Sequence, residues 1–581
     1  MKVILAKKAG FCMGVRRAMD TVLAAIKGKS TAGGPISTFG PLIHNRQVLD
    51  LLADKGVSVV RSVGEVKGGT VVIRAHGIPP RQKEAILQTG AQVIDGTCLR
   101  VIKVQTIIRR FARRGYQVII VGDKGHPEVL GLLGFAEGRG LLISSETDIA
   151  GLPRPDKYIV VAQTTQDENL FNQIASEITS KYPGGQVFNT ICHSTHERQA
   201  EVLELCKEVE AVVVVGGKES ANTTRLAQIA EEAGVKAYHI ETENDLDLKE
   251  MSGFSRVAVT AGASTPNWII NRVVSKLEGV RGKQESALKA AAYTFFRFLL
   301  ESNLYISLGA GFLAYASLKL QGIKGTLPYL FIAAAYIYAV HNLNHFTDKE
   351  ADAFSEPGRA IFFAKHERPI LLLSLLAAAF ALSLSYSLGL FPFLFLFFIC
   401  ILGTLYGVKI IPDFLGLIIP LRRLKDIPGS RTLFIALAWA AVAAFLPAWN
   451  SGQGFTPGLI AAFLFVLAFV FVRSALLEVF DVQADRMFGR ETLPILIGER
   501  ATVTLLKGLI AFMVILLAAS SFLGYVTTVG LWLTLPMLSM AGCIILFEKN
   551  YLRRGVKLEL LIENNFVMAG LVSYLWAQFM S

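Results

Sequence analysis

The sequence predicts two architectures in tandem. The first is an N-terminal α/β half of three similar parallel-sheet units around a central cluster. The second is a C-terminal all-α membrane bundle of about nine transmembrane helices. Three observations predict this. A short strand-like run leads to a cysteine three times, Val3-Ile4-Leu5 to Cys12, Gln92-Val93-Ile94 to Cys98 and Gln186-Val187-Phe188 to Cys192, at intervals of 86 and 94 residues. Up to about Val280, short β-branched runs alternate with helix-like stretches. From about Ala291, apolar runs of about 20 residues recur, the length that crosses a bilayer.

Composition agrees with this division. A mean hydropathy of +0.47 over 581 residues is too high for a soluble protein. The predicted domains are 1–282, a polar linker at 283–290, and 291–581. Six cysteines are too few for a disulfide framework and suit a reducing compartment. Cys206, Cys400 and Cys543 lie in apolar or helical surroundings and read as packing residues. The N-terminus reaches a polar glycine turn too early for a secretory signal, so the first half is expected in the cytoplasm. Much of the +12 net charge sits between the apolar segments and calls for no nucleic acid.

In the first half, Thr70–Ile73, Gln117–Val121, Tyr158–Val161, Ala211–Val215 and Val257–Thr260 read as continuous apolar strands of parallel sheets. Polar loops follow them: Ala75-His76-Gly77, Gly125-His126-Pro127-Glu128, Gln163-Thr164-Thr165, Gly217-Lys218-Glu219-Ser220-Ala221-Asn222 and Ala261-Gly262-Ala263-Ser264. Gly40-Pro41-Leu42-Ile43-His44-Asn45 is of the same kind. Open α/β sheets bind ligands outside the carboxyl ends of their strands. Imidazoles, hydroxyls, an amide and backbone N–H groups gathered there suit an anionic phosphate. Three thiolates around one point suit an iron–sulfur cluster with one iron left open. A Cys3His zinc site is the alternative, although the paired Cys-x-x-Cys spacing common in structural zinc sites is absent.

Ala9-Gly10-Phe11-Cys12-Met13-Gly14-Val15 resembles the opening motif of the LytB family of 4-hydroxy-3-methylbut-2-enyl diphosphate reductases. The loops quoted above, with Ile43-His44-Asn45, Asp95-Gly96-Thr97-Cys98 and Ile191-Cys192, extend the likeness over roughly residues 1–282. The resemblance implies that Cys12, Cys98 and Cys192 hold a [4Fe–4S] cluster whose open iron acts as Lewis acid and electron relay. It implies that His44, His76, His126, Ser220, Asn222 and Ser264 cradle the substrate diphosphate. Glu128 would deliver protons, helped by Thr164. The products would be isopentenyl and dimethylallyl diphosphate, with ferredoxin or flavodoxin as electron donor.

The second half carries nine apolar segments, near 292–318, 326–344, 369–388, 390–408, 431–448, 457–479, 502–523, 527–547 and 559–580. A cytoplasmic first half makes the loops after the second, fourth, sixth and eighth segments cytoplasmic. These are the loops rich in Lys and Arg, as the positive-inside rule requires. The chain is therefore expected as a multi-pass protein of the inner membrane bilayer.

Two acidic stretches end segments two and six: Asn344-His345-Phe346-Thr347-Asp348-Lys349-Glu350-Ala351-Asp352 and Glu478-Val479-Phe480-Asp481-Val482-Gln483-Ala484-Asp485-Arg486. Carboxylates at four-residue spacing share a helix face and repel unless a cation binds. Mg²⁺ takes a few carboxylates and fills its shell with phosphate oxygens. Two such clusters on equivalent helices favour a site over solvated charge.

These stretches resemble the aspartate motifs of the UbiA prenyltransferase superfamily, with His345 and Glu478 where aspartates are usual. The likeness covers about 290–581. It implies that Asn344, Asp348, Asp352, Asp481 and Asp485 bind a prenyl diphosphate through Mg²⁺, and that Arg423, Lys425 and Arg486 neutralise the departing diphosphate. The expected function is thus a reductase of isoprenoid diphosphates fused to a prenyltransferase with an unidentified acceptor. Two alternatives stay open: a membrane half that is only an anchor, and a cluster-based redox sensor gating it.

Overall fold

The computed structural model describes residues 1–32, 34–282, 286–325, 327–347, 354, 357–407, 427–549 and 555–579. The chain divides into two compact units, Met1–Glu285 and Ser286–Ser581.

The first unit contains three four-stranded sheets, parallel throughout. The strands are β1 (Lys2–Leu5), β2 (Ile36–Phe39), β3 (Val57–Val60), β4 (Thr70–Ile73), β5 (Gln92–Asp95), β6 (Gln117–Val121), β7 (Gly140–Ile143), β8 (Tyr158–Ala162), β9 (Gln186–Phe188), β10 (Ala211–Val215), β11 (Lys236–Ile240) and β12 (Arg256–Ala261). The strand orders are β3-β2-β4-β5, β7-β6-β8-β9 and β11-β10-β12-β1. Each sheet repeats one plan, in which the second strand lies outside the first and the fourth is the far edge. In the last sheet β1 fills the fourth place, in register Lys2 with Arg256 through Leu5 with Val259. The two ends of the unit are therefore paired in one sheet.

The plan decides what each strand presents. The β8 and β10 runs are buried at every position, as sheets covered on both faces require. Inner strands β2, β4, β6, β8, β10 and β12 deliver the loops of His44, His76, His126, Thr164, Ser220 and Ser264. Edge strands β1, β5 and β9 deliver Cys12, Cys98 and Cys192. Alternation of strands with helices thus does what the sequence pattern predicts.

The second unit is helical among its described residues. Six helices are long and apolar enough to cross a membrane: Glu367–Ser387, Ser430–Asn450, Pro457–Phe488, Glu499–Phe522, Val529–Glu548 and Val556–Phe579. Two shorter apolar helices, Leu304–Leu320 and Leu390–Tyr406, accompany them. A further helix spans Leu327–Thr347. The expected count of nine spans is therefore not established by length and hydropathy.

One predicted segment is two helices. The 292–318 run breaks between Ala287–Glu301 and Leu304–Leu320, where Asn303 turns left-handed at φ +60°. Asparagine tolerates that conformation better than most residues. Its amide also donates to Asn342 Oδ1 at 2.8 Å, which fixes the turn against the neighbouring helix. The polar triplet Glu301-Ser302-Asn303 at the break is too short to divide this run by hydropathy. The Ser430–Asn450 helix contains a π turn at Ala441–Phe445.

Candidate active sites

The three thiols occupy equivalent places in the first unit. Cys98 and Cys192 are the N-cap residues of helices Leu99–Ala112 and His193–Cys206, and Cys12 immediately precedes helix Met13–Ala32. Helix N-termini favour thiolates, because free N–H groups point at the sulfur. The Val15 N–H donates to Cys12 Sγ at 3.4 Å, and the Arg100 and Val101 N–H groups favour the Cys98 thiolate. Burial nevertheless pushes the Cys98 thiol up, and the charges of Cys12 and Cys192 add to this. Three thiolates that repel one another across one cavity suit a polycationic metal cluster. The close approach also explains Gly14, where a Cβ would collide with Cys98 Sγ.

Arg198 completes this end of the cavity. Its side chain is buried, with Nη1 donating to the Ser194 carbonyl at 3.3 Å and Nη2 to the Gly10 carbonyl. It lies near enough to Cys12 and Cys192 to act on them electrostatically. Sequence reading passed over it. Nothing in an arginine six residues beyond a cysteine announces that it is buried.

The same cavity is lined by His44, His76, His126, Glu128, Thr164, Ser220, Asn222 and Ser264, so the three thiols and eight polar side chains predicted for this half meet in one place. The three imidazoles lie with ligand-capable atoms within 4.8 Å of one another. All three are held below the usual histidine range. Burial is the main cause, and Arg74 adds to it; His126 is lowered to about 4. They are therefore neutral hydrogen-bond donors near pH 7. His126 Nδ1 accepts from the Glu128 N–H at 3.2 Å, which leaves Nε2 carrying the proton.

Among the described residues, neither nitrogen of His44 finds a hydrogen-bond partner, nor does the Asn222 Nδ2, although these atoms are buried. Unsatisfied buried donors are costly and point to an absent acceptor. Ser220 caps helix Ala221–Glu232, whose N-terminus adds a dipole suited to an anion. Ser264 Oγ donates to the His44 carbonyl at 3.1 Å, tying two of these loops together.

Glu128 is 1% exposed. Its Oε1 accepts from the Thr164 N–H at 2.7 Å and its Oε2 from the Thr164 hydroxyl at 2.8 Å. Burial pushes its carboxyl up to about 7, against the two Thr164 hydrogen bonds that favour the charged form. The resulting bias toward the neutral acid is about 3 kcal/mol relative to an exposed glutamate. A carboxyl poised there can hold and release a proton at neutral pH.

The second unit has its own cavity, of about 520 Å³, with apolar walls and a polar end. Asn344, His345, Glu478, Asp481 and Asp485 line it, from the ends of helices Leu327–Thr347 and Pro457–Phe488. Glu478 Oε1 accepts from the Thr432 hydroxyl at 2.6 Å, while its buried Oε2 has no hydrogen-bond partner among the described residues. Oxygen donors grouped in this way fit a hard divalent cation. Asp348, Asp352, Arg423 and Lys425 lie outside the described residues. Arg486 is not among the residues lining the cavity. The arginines that are, among the described residues, are Arg359, Arg431 and Arg473, of which Arg431 acts electrostatically on both Glu478 and Asp485. Arg431 was not anticipated, since it opens a helix rather than belonging to an acidic motif.

Residues 3–278 match the family model described as LytB protein, and residues 304–558 match that of the UbiA prenyltransferase family. The 4-hydroxy-3-methylbut-2-enyl diphosphate reductase of Citrifermentans bemidjiense is 41% identical over 281 residues, 48% of this chain and 98% of that protein. Among solved structures, the reductase of Plasmodium falciparum is 28% identical, with a TM-score of 0.45, over 47% of this chain and 86% of that one. A UbiA homolog from Archaeoglobus fulgidus bound to GPP and Mg²⁺ is 19% identical, with a TM-score of 0.35, over 48% of this chain and 96% of that one.

Proposed function

The chain belongs to the LytB family through residues 3–278 and carries a UbiA prenyltransferase family domain over 304–558, and from that premise we propose that its first unit reduces 4-hydroxy-3-methylbut-2-enyl diphosphate to isopentenyl and dimethylallyl diphosphate. The observation that carries this reading is the meeting of three thiols, three neutral imidazoles and one buried carboxyl in a single cavity. Cys12, Cys98 and Cys192 would hold a [4Fe–4S] cluster. When bound, it supplies Lewis acidity and electrons.

The residues of the chain do the rest. His44, His76 and His126 each offer an N–H to the diphosphate, and Asn222, Ser220 and Ser264 close around it. Neutral imidazoles bind without transferring their protons to the ligand. Glu128, mostly neutral below about pH 7, gives up a proton as the C–O bond breaks. The Thr164 N–H and O–H then stabilise the carboxylate left behind. Overall, two electrons and two protons convert R–OH to R–H and water. Ferredoxin or flavodoxin is the proposed source of the electrons.

The second unit is proposed to transfer a prenyl group from a polyprenyl diphosphate to an acceptor. Asn344, Asp481 and Asp485, with Asp348 and Asp352, would hold the diphosphate through Mg²⁺, with Arg423, Lys425 and Arg486 as counter-charges. Arg431 joins them on the strength of its place in the cavity. The chain is read as multi-pass in the inner membrane, with its first unit in the cytoplasm.

The test is made on anaerobically prepared membranes containing the whole chain. A reduced dye should convert the hydroxylated diphosphate to both products, and Cys98→Ser should abolish the conversion. Labelled farnesyl or geranylgeranyl diphosphate, with native lipid extract, should give a labelled lipid only with Mg²⁺, and Asp481→Asn should remove it. A reductase-active membrane that makes no such lipid would reduce the second unit to an anchor.

A further inference from the structure

The cavity of the second unit holds polar groups that the diphosphate site leaves unused. Ser474, Glu478, Asp481 and Asp485 all line it from helix Pro457–Phe488. Their three- and four-residue spacing puts them on one face. Ser474 stands seven residues before Asp481, roughly 10 Å along the axis at 1.5 Å per residue. Beside it, Arg473 meets Glu563 of helix Val556–Phe579, with Nε donating to Oε1 at 2.8 Å and Nη2 donating to the same oxygen. Trp439, on helix Ser430–Asn450, also lines the cavity, and its ring lies 5.5 Å from that of Phe566, one turn beyond Glu563.

An ion pair alone could serve to tie two helices together. It does not account for three buried polar atoms that find no hydrogen-bond partner among the described residues: Glu563 Oε2, Ser474 Oγ and Trp439 Nε1. All three belong to side chains lining one cavity, within helices long and apolar enough to cross a membrane. Ionisable groups at such depth, and buried polar atoms left unsatisfied, both point to a ligand.

The charge balance defines that ligand. Among the described residues lining the cavity are five carboxylates, Glu478, Asp481, Asp485, Glu559 and Glu563, and three arginines, Arg359, Arg431 and Arg473. Arg473 pairs with Glu563, Arg359 approaches Glu559 at 3.6 Å, and Arg431 acts on Glu478 and Asp485. Each arginine thus faces a carboxylate. An acceptor that brought its own anion here would bury an uncompensated charge.

Resting on the prenyltransferase reading above, we propose that Trp439, Ser474 and Glu563 bind the prenyl acceptor, and that this acceptor is an uncharged molecule carrying a hydroxyl and a second oxygen. The hydroxyl donates to Glu563 Oε2. The Trp439 N–H and the Ser474 O–H donate to the second oxygen. In the transfer, the allylic C–O bond breaks and its electron pair leaves with the diphosphate. The acceptor supplies the pair for the new bond and releases one proton, which passes to Glu563 Oε2.

Membranes containing the whole chain are given Mg²⁺ and labelled geranylgeranyl diphosphate. The acceptor probe is a protein-free native cell extract, split by anion exchange into an uncharged and an anionic fraction. Labelled lipid should form from the uncharged fraction. Trp439→Phe and Ser474→Ala leave the ion pair intact. Each should raise the amount of that fraction needed for half-maximal rate about threefold to tenfold, the weight of one hydrogen bond, with the KM for the prenyl diphosphate unmoved. As much lipid from the anionic fraction as from the uncharged one, variants that match the parent chain, or variants that shift both constants equally would overturn the proposal. Labelled lipid from neither fraction would remove the prenyltransferase reading itself.

Discussion

At the residue scale the proposed chemistry turns on Glu128 and on Thr164, which donates to both of its oxygens. Burial keeps the carboxyl protonated up to about pH 7, and the two Thr164 hydrogen bonds oppose this by favouring the anion. Turnover should therefore fall as pH rises through about 7. Removing the Thr164 hydroxyl withdraws support from the carboxylate, so Thr164→Val should move that alkaline limb to higher pH; a limb that moves down would refute this assignment. Glu128→Gln should lower kcat by about 10² to 10⁴, the usual weight of a general acid. Arg198 is the second such residue. Its cation faces thiolates that otherwise only repel one another. Arg198→Met should lower the iron retained per chain after desalting, and Arg198→Lys should recover much of it. Equal iron in all three proteins would make Arg198 a packing residue only. The sequence marked Glu128 by its motif, but it could not mark Arg198, whose importance is its burial beside two cysteines distant in the chain.

At the element scale, the strand-then-cysteine unit was visible because its spacing recurs, and the sheets repeat it with one strand order. The helices of the second unit were legible as apolar lengths, yet their breaks were not. Asn303 shows why. The left-handed turn depends on one backbone conformation and on the amide contact to Asn342, neither of which alters hydropathy. Asn303→Val should cost about 1–2 kcal/mol, the penalty of holding a β-branched residue left-handed. Asn303→Gly should cost less, because only the hydrogen bond is lost. Thermal unfolding in detergent, followed by loss of ordered helix, checks the ranking. A valine variant as stable as the glycine one would mean that the turn is not constrained.

At the scale of the whole molecule, the two units form separate contact networks, and the first corresponds to nearly the full length of its curated relatives. Residues 1–285 expressed alone should therefore fold and retain reductase turnover within about twofold. Deleting Lys2–Leu5 should abolish it, because β1 is the edge strand that pairs with β12 and leads to Cys12. A soluble but inactive 1–285 fragment would show that the membrane unit contributes to the first reaction. The sequence by itself determined the residue types: three cysteines at repeating distances, histidine and hydroxyl loops after apolar runs, and carboxylates at helical spacing. Such features are local, and local periodicity survives in a linear string. Only the tertiary structure decided which charges line a cavity. It buried Glu128 and Arg198 and drew Arg431 into the cavity of the second unit. Burial and convergence depend on contacts between residues far apart in the chain, and no window of sequence contains them.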